Sequence, residues 1–281
     1  MSEQQIKAVR TISIKDLKLP TISEQGKKAL DIINSSNLNF TELESALSAD
    51  PVLMAIILKY ANSPIYRARI ETKNLRQALN LLGVDIVKSA ILICTMRSFT
   101  EPMNPAKELL WEQVVKLSAM SKLIARQINR KLADETELTA MMSEIGGLVL
   151  SSNFAEEYMD VMDRASEKKI PLMDEEFYTF GLKRVDVTTE TLVKLRLPKN
   201  TIEVLNGYFE NKIPDVIETN IDRQLVVLKL AYFFIAYRTK PELIKKDGKC
   251  LSLIELLDLQ KMNIDQILER YNESLSEGFW F

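Results

Sequence analysis

The stretch from Val52 to Ala61 constrains the fold most, because a helix formed by these residues has almost no polar face. Its apolar side chains include Leu53, Met54, Ile56, Ile57 and Leu58. A helix that is apolar all round is expected at the centre of a bundle, where other helices cover it. Asp50 predicts its N-cap and Pro51 its first residue. The sequence therefore predicts a bundle that surrounds this helix.

The rest of the chain favours helices as well. Only 8 of the 281 residues are glycine, so few tight turns are available, and no segment alternates apolar and polar residues over a strand length. Pro102 and Pro105 interrupt the helical pattern near residue 100. We predict an all-α, two-lobed multi-helix bundle. Its parts are a leader (1–18), a first lobe (19–100), a second lobe (105–240), and a C-terminal helix with an aromatic tail (241–281).

Several boundaries can be assigned from local patterns. Thr41 and Glu44 match a capping box that would start a short helix. One long helix is predicted from about residue 107 to 132, and Asp134 would cap the next helix, which runs through Ala140–Leu150. Pro171 and the acidic residues after it are interpreted as a turn.

The absence of histidine excludes several chemistries. The chain contains none, so it cannot form a Ser-His-Asp triad, a Cys-His pair or a zinc site with a histidine ligand. The glycine-rich phosphate-binding loops are missing too. Cys94 and Cys250 lie in apolar segments and are expected to be buried, reduced thiols. No catalytic residue, cofactor or metal ion is predicted.

Charge and hydropathy indicate the cellular location of the protein and the partners it does not attract. There are 37 basic and 39 acidic residues, which leaves no overall field to attract nucleic acid. The first residues lack the apolar core of a signal peptide, and the longest apolar run, Leu225–Tyr237, is too short to span a bilayer. We expect a cytoplasmic protein without membrane insertion.

An ordered set of short motifs resembles the HDOD domain, the HD-related output domain of bacterial signalling proteins. The motifs are Leu19-Pro20, Asp50-Pro51-Val52-Leu53, Leu58-Lys59-Tyr60-Ala61-Asn62-Ser63, Tyr66 and Gln77-Ala78-Leu79-Asn80-Leu81-Leu82-Gly83. The resemblance covers about residues 17–238. It implies an all-helical fold, an HD-like second lobe and a regulatory, non-catalytic role.

The second lobe departs from HD-type phosphohydrolases at the positions that bind metal or substrate in those enzymes. The segment Ala140–Leu150 resembles their Gly-Leu-Leu-His-Asp-Ile-Gly segment, with Ser143 and Glu144 in place of the His-Asp pair. The other positions align with Gln113, Arg184, Tyr208, Phe209 and Tyr232. The resemblance thus implies that the metal site has degenerated.

Three interpretations of Glu144 stay open. It could lie on a surface that packs or meets water. Arg184 could approach it and replace the cation, since a buried carboxylate without a partner is costly. Alternatively, Arg184 and Lys183 could hold a phosphate of a signalling nucleotide in the old cleft.

Two surface features have competing interpretations. Lys122, Arg126 and Arg130 recur every four residues and predict one basic helix edge, which is either solvated or meets an acidic partner or nucleic acid. The aromatic pair Tyr208-Phe209 and the tail Phe279-Trp280-Phe281 either pack on the body or anchor a partner protein.

These observations predict a non-enzymatic signal-transduction output or interaction module whose partner is an unknown signalling protein. Nucleic acid is not expected as a partner. The alternative is a sensor that binds a nucleotide or other phosphorylated ligand in the degenerate cleft. A residual metal-dependent phosphohydrolase is the weakest interpretation, because no carboxylate cluster with helical spacing accompanies Glu144.

Overall fold

The computed structural model of the chain describes residues 12–63, 66 and 71–276. Its first lobe contains α1 (Glu24–Asn34), α2 (Phe40–Ser48), α3 (Pro51–Ala61), α4 (Leu75–Leu82) and α5 (Val84–Thr100). Its second lobe contains α6 (Pro105–Ala125), α7 (Arg130–Met141), α8 (Ile145–Asn153), α9 (Ala155–Lys168), α10 (Leu172–Phe180), α11 (Arg184–Lys194), α12 (Lys199–Phe209) and α13 (Asn220–Ala236). They are followed by α14 (Gly248–Leu256) and α15 (Ile264–Ser276). Short 3-10 helices occur at Ile14–Asp16 and Pro241–Leu243, and the described residues form no strand. The predicted all-α fold is confirmed.

Helix α3 begins as predicted but does not occupy the centre of the bundle. The Asp50 carboxylate accepts hydrogen bonds from the amides of Val52 and Leu53, both at 3.1 Å. However, the Val52 side chain is 56% exposed, and only one face of α3 is buried. The central positions belong to α5, α6 and α8, whose residues are mostly buried. An apolar sequence shows what a helix can bury, but the neighbouring helices decide which faces are covered.

The long helix predicted over residues 107–132 is two helices. Helix α6 ends at Ala125, and α7 begins at Arg130 after a turn. Asn129 caps α7, because its side-chain oxygen accepts the amide of Leu132 at 2.8 Å. Asp134, the predicted cap, instead lies inside α7. The two helices pack against each other and form the frame of the second lobe.

Two other predictions about boundaries are wrong, and one C-terminal helix was not predicted. Asn39, rather than Thr41, caps α2 by accepting the amides of Thr41 and Glu42. The segment after Pro171 is the helix α10 and not a turn, and it ends at Gly181 in the left-handed conformation. The C-terminal region contains α14 before the predicted terminal helix, with Asp247 accepting the amide of Cys250 at 2.9 Å. The starts of α2 and α14 depend on one capping side chain each, whereas α10 begins after Pro171 without a side-chain cap.

One cluster of buried apolar side chains runs through both lobes and includes α15. Fully buried members from different helices are Ile91, Met120, Leu150, Leu228 and Tyr271. Helix α5 of the first lobe packs against α7 and α8 of the second. The lobes therefore share a core, and the α8 segment lies close to their junction.

Within the described residues, no single helix is long and apolar enough to cross a membrane. Helices α4 and α5 reach that length and composition only as a pair, and the pair bends by 113°. The bend lies at Gly83, whose φ of 78° is readily adopted by glycine.

Candidate functional site

Ser143 and Glu144 lie in a break between two helices. Residues 140–150 were predicted as one helix, but α7 ends at Met141 and α8 begins at Ile145. Glu144 is the N-cap residue of α8, and its side chain is 18% exposed. Ser143 is fully buried, and its hydroxyl has no hydrogen-bond partner among the described residues. Because of this break, the Ser143 side chain is enclosed in the core, whereas the Glu144 side chain is partly exposed.

Arg184, the first residue of α11, reaches Glu144 across the junction between α8 and α11. Its Nη1 atom donates to Oε2 of Glu144 at 2.5 Å, and the Arg184 side chain is only 5% exposed. The structure thus contains the contact that the second interpretation of Glu144 requires. A direct charge-assisted hydrogen bond at this distance is among the stronger kinds of polar contact.

The same guanidinium binds a second carboxylate, Glu176 of α10. Nε of Arg184 donates to Oε2 of Glu176 at 2.8 Å, and Nη2 donates to Oε1 at 2.5 Å. Glu176 is fully buried. Tyr158 of α9 completes the group: its hydroxyl donates to Oε1 of Glu176 and lies 3.3 Å from Nη2 of Arg184. We call Glu144, Tyr158, Glu176 and Arg184 the arginine cluster.

Two glycines let α8 approach the arginine cluster. A Cβ atom on Gly146 would lie 2.5 Å from Oγ1 of Thr188 and 2.6 Å from the carbonyl oxygen of Arg184. A Cβ atom on Gly147 would lie 3.0 Å from Cζ of Arg184. The guanidinium therefore lies directly against α8, and only glycine fits at residue 146 without movement of the α11 backbone.

Burial and neighbouring charges shift the pKa values of Glu144, Tyr158 and Arg184. Burial raises the pKa of Glu144, while the positive charge of Arg184 acts in the opposite direction. Burial also raises the pKa of Tyr158, so its hydroxyl stays protonated and can donate to Glu176. For Arg184, burial alone lowers the pKa, but Glu176, Tyr158 and Glu144 outweigh it and hold the pKa well above its ordinary value. Arg184 is consequently a permanent cation.

Two other aligned positions, Gln113 and Tyr232, and the predicted phosphate contact Lys183 do not join the arginine cluster. Gln113 and Lys183 are exposed, and the Tyr232 side chain is 60% exposed. None of the three forms a hydrogen bond or ion pair with Glu144 or Arg184 in the described part of the chain.

The aromatic pair on α12 lies at the margin of the cluster. Tyr208 and Phe209 are partly buried, with ring centroids 5.9 Å apart. The pKa of Tyr208 is raised by burial and then by the negative charge of Glu144. Neither aromatic side chain forms a hydrogen bond with the arginine cluster among the described residues. The predicted tail aromatics, residues 279–281, lie outside the described residues.

The predicted basic edge on α6 is wrong for Lys122. Its side chain is 1% exposed, and its Nζ atom lies 2.6 Å from Oε2 of Glu137 and 3.4 Å from the ring centroid of Tyr66. The Tyr66 hydroxyl donates to the same Glu137 oxygen. Only Arg126 and Arg130 are exposed. After the break, α7 packs back against α6 and covers Lys122, whereas Arg126 lies at the end of α6 and Arg130 at the start of α7.

Sequence reasoning missed Glu176 because the segment after Pro171 was not interpreted as a helix, and it missed Tyr158 because the role of this hydroxyl depends on its contact with Glu176. The signals were present: Pro171 precedes the first helical residue, Asp174 and Glu175 lie in the first turn, and Gly181 follows the end. With the helix in place, Glu176 faces inward. Its partner Arg184 lies eight residues further along the chain.

No group of three His, Cys, Asp or Glu side chains that could hold a metal ion occurs in residues 12–63, 66 and 71–276. The fold and the arginine cluster define an all-helical protein with a buried carboxylate–guanidinium cluster at the junction of α8, α9, α10 and α11. The HDOD domain family model matches residues 19–208. The chain therefore belongs to the HDOD family.

Solved structures share this fold. An HDOD domain protein of unknown function from Geobacter sulfurreducens has a TM-score of 0.70 at 18% identity, covering 92% of this chain and 91% of that one. A proposed phosphohydrolase from Shewanella amazonensis has a TM-score of 0.68 at 15% identity, covering 93% of each chain. A proposed signal transduction protein from Marinobacter aquaeolei has a TM-score of 0.69 at 17% identity, covering 98% of this chain and 63% of that one. No curated protein sequence matches the chain.

Proposed function

We propose that this chain is a non-enzymatic output or interaction module of signal transduction, in which Arg184 has replaced the metal ion of HD-type phosphohydrolases. The observation that carries the proposal is the position of the guanidinium, which contacts Glu144 and Glu176 at once. A fixed positive charge then neutralises carboxylates that would otherwise require a cation.

The donor set around Glu144 does not fit a divalent ion. Such an ion needs several oxygen or nitrogen ligands at about 2.0–2.6 Å. Both carboxylates of the arginine cluster are engaged by Arg184, and a second cation beside this buried guanidinium would be repelled. The chain also has no histidine to act as a ligand or as a general base. These features support a non-catalytic role.

The alternative function, a sensor with a phosphate bound by Arg184 and Lys183, has less support. Arg184 is 95% buried and faces two carboxyl groups, so it offers no free positive charge to a phosphate. Lys183 is exposed, and its side chain forms no hydrogen bond or ion pair with the cluster among the described residues. No specific observation therefore favours a ligand at this position.

Metal analysis and a hydrolysis assay test the proposal. We expect no stoichiometric Mg, Mn, Fe or Zn in the purified protein by elemental analysis. We also expect no metal-stimulated hydrolysis of bis(p-nitrophenyl) phosphate or cyclic dinucleotides, with an active HD-type phosphodiesterase assayed in parallel. Hydrolysis that is abolished by Glu144→Gln would contradict the proposal and support the residual phosphohydrolase.

The interaction role and cytoplasmic location need separate experiments. We propose that the partner is another signalling protein and that the aromatic tail contributes to its binding. Affinity capture from the native cell extract should retain the same protein in repeated experiments with the full chain, and less of it with a chain that ends at Ser276. Equal retention would exclude the tail as an anchor.

Recovery of the protein in the membrane fraction would contradict a cytoplasmic location.

A further inference from the structure

A cavity of about 610 Å³ lies between the two lobes. Helices α1 and α5 line it from the first lobe, and α7, α12, α13 and the turn between α11 and α12 line it from the second. Neither Glu144 nor Arg184 is among the lining residues, so the cavity is separate from the arginine cluster. Its size lies within the range of about 300–1,000 Å³ that is usual for small organic ligands. A ligand here would contact both lobes.

The apolar part of the cavity wall is aliphatic. The residues that form it include Ile22, Leu30, Leu92, Leu138, Leu195 and Leu197. No aromatic side chain lines the cavity among the described residues. A nucleobase would find no ring to stack on, whereas an alkyl chain would be shielded from water on these walls. The wall therefore favours an aliphatic ligand over a nucleotide.

The cavity wall contains two basic side chains without an acidic partner among the described residues. They are Lys194, at the end of α11, and Arg196, in the turn between α11 and α12. Three of the four lining acids have a basic neighbour, in the pairs Asp85–Lys88 at 4.0 Å, Glu135–Lys131 at 3.8 Å and Asp134–Lys122 at 3.9 Å. The side chain of Arg196 forms no hydrogen bond or ion pair with any described residue, and the Lys194 side chain donates only to the carbonyl oxygen of Leu19, at 3.4 Å. Both basic residues are exposed and line the cavity. They are available for an anionic head group.

The backbone of this turn makes the role of Arg196 testable. Arg196 has a φ of 57°, and the amide of Leu197 bonds to the carbonyl oxygen of Leu192 at 3.0 Å. This is the helix-ending turn in which glycine is the preferred residue. Leu195 and Leu197 on either side are buried and anchor the turn. Replacing Arg196 with glycine should therefore remove the charge and keep the fold.

Gln224 provides a polar contact inside the cavity. The residue is only 5% exposed and lines the cavity, and its Oε1 atom lies 2.8 Å from the hydroxyl of Thr139. Within the described part of the chain, the other polar atom of its amide has no hydrogen-bond partner. That amide nitrogen is therefore free to donate a hydrogen bond to a ligand in the cavity.

We propose that the interlobe cavity binds a small organic anion with an aliphatic chain. Its carboxylate or phosphate head pairs with Arg196 and Lys194, and its chain lies against Leu138, Leu195 and Leu197. Because the ligand touches both lobes, binding stabilises their present arrangement. This inference does not depend on the loss of catalysis proposed for the arginine cluster.

Calorimetry and thermal unfolding with defined probes test the inference. The probes are octanoate and octyl phosphate, with 1-octanol, octylamine and inorganic phosphate as controls, all below their micellar concentrations. We expect the two eight-carbon anions to bind and raise the unfolding temperature, and the three controls to bind at least tenfold more weakly. Arg196→Gly should weaken binding of the anions at least tenfold while unfolding at or above the wild-type temperature. Arg270→Gln, which removes an exposed charge away from the cavity, should bind like the wild type.

Three results would overturn the inference. Equal binding of 1-octanol would show that the head group is not recognised, and equal binding of inorganic phosphate would show that the chain is not. Unchanged affinity of Arg196→Gly for octyl phosphate would place the ligand elsewhere. Absence of binding by either anion to the folded wild-type protein would exclude this ligand class.

Discussion

Arg184 and Glu176 form a bidentate pair: Nε and Nη2 of the guanidinium donate to the two carboxylate oxygens at 2.8 and 2.5 Å. Both side chains are buried, and the remaining donors of Arg184 bind Glu144 and Tyr158. A planar fork of this kind fits a carboxylate in a way that a lysine cannot. The pair holds α10 and α11 together beside α8.

Removal of the guanidinium should destabilise the protein strongly. Arg184→Met leaves the buried carboxylate of Glu176 without its partner, and such a change typically costs about 3–5 kcal/mol. Arg184→Lys should recover only part of the loss, because lysine cannot reproduce the two parallel hydrogen bonds. Urea unfolding monitored by circular dichroism measures the change. The double variant Arg184→Met/Glu176→Gln should be more stable than the single variant. The control Arg270→Met removes an exposed charge and should change the free energy of unfolding by less than about 0.5 kcal/mol. A loss equally small for Arg184→Met would show that the Arg184–Glu176 pair contributes little to stability.

Two helical glycines should respond oppositely to alanine. Gly146→Ala places Cβ 2.6 Å from a backbone oxygen of α11, and overpacking of this kind costs about 1–3 kcal/mol. That cost exceeds the gain of about 1 kcal/mol in helix propensity. Gly248→Ala meets nothing within 4 Å and should be neutral or slightly stabilising. Thermal unfolding of both variants measures the difference. An equally stable Gly146→Ala protein would argue against close contact between α8 and α11.

The buried pair Lys122–Glu137 should behave as a coupled unit. Burial lowers the pKa of Lys122 and raises that of Glu137, while their mutual contact acts in the opposite direction. Lys122→Met should cost about 3–5 kcal/mol, because it leaves the buried carboxylate without its positively charged partner and with only the Tyr66 hydroxyl donating to it. Adding Glu137→Gln to Lys122→Met should restore part of this stability. A double-mutant cycle from denaturant titrations gives the coupling energy, and strict additivity of the two changes would contradict a direct interaction.

Lys229 should make stability depend on pH in the alkaline range. Burial lowers the pKa of its amine to about 8, from an ordinary value of 10.5. Between these values the unfolded chain holds a proton that the folded chain has lost, so stability rises as the pH increases from about 8 to 10.5. Below pH 8 both states are protonated and this contribution is constant. The neutral amine keeps donors for the carbonyl oxygen of Tyr208 and for Asn211 Oδ1, both at 2.7 Å.

Comparison with Lys229→Met isolates this effect from that of other titrating groups. The difference in unfolding free energy between wild type and variant, measured in urea at several pH values, should shift in favour of the wild type across the window. A flat difference would place the pKa of Lys229 at its ordinary value.

Much of the local structure could be predicted from single residues. Asp50 and Pro51 start α3 because a side-chain oxygen satisfies free amides at a helix start, an effect confined to neighbouring residues. The break near Pro102 and Pro105 also follows from local geometry. Helix α10 and the turn at Asn129 were missed, since weak start signals compete with the surrounding pattern.

The burial of charged residues could not be predicted in this way. Regular spacing placed Lys122 on a basic edge with Arg126 and Arg130, yet the chain turns after Ala125 and packs Lys122 against Glu137. The apolar helix α3 likewise has an exposed side at Val52. Which face of a helix is covered depends on neighbours that are distant in sequence.

The sequence by itself determined the all-helical class, the family resemblance and the absence of any imidazole. Each of these follows from residue identity or short-range spacing. Tertiary structure alone decided that Glu144, Tyr158, Glu176 and Arg184 meet, because they come from separate segments that converge only when α8 packs on α11. It also decided that the lobes enclose a cavity. Long-range packing sets these distances, and it depends on the whole core at once.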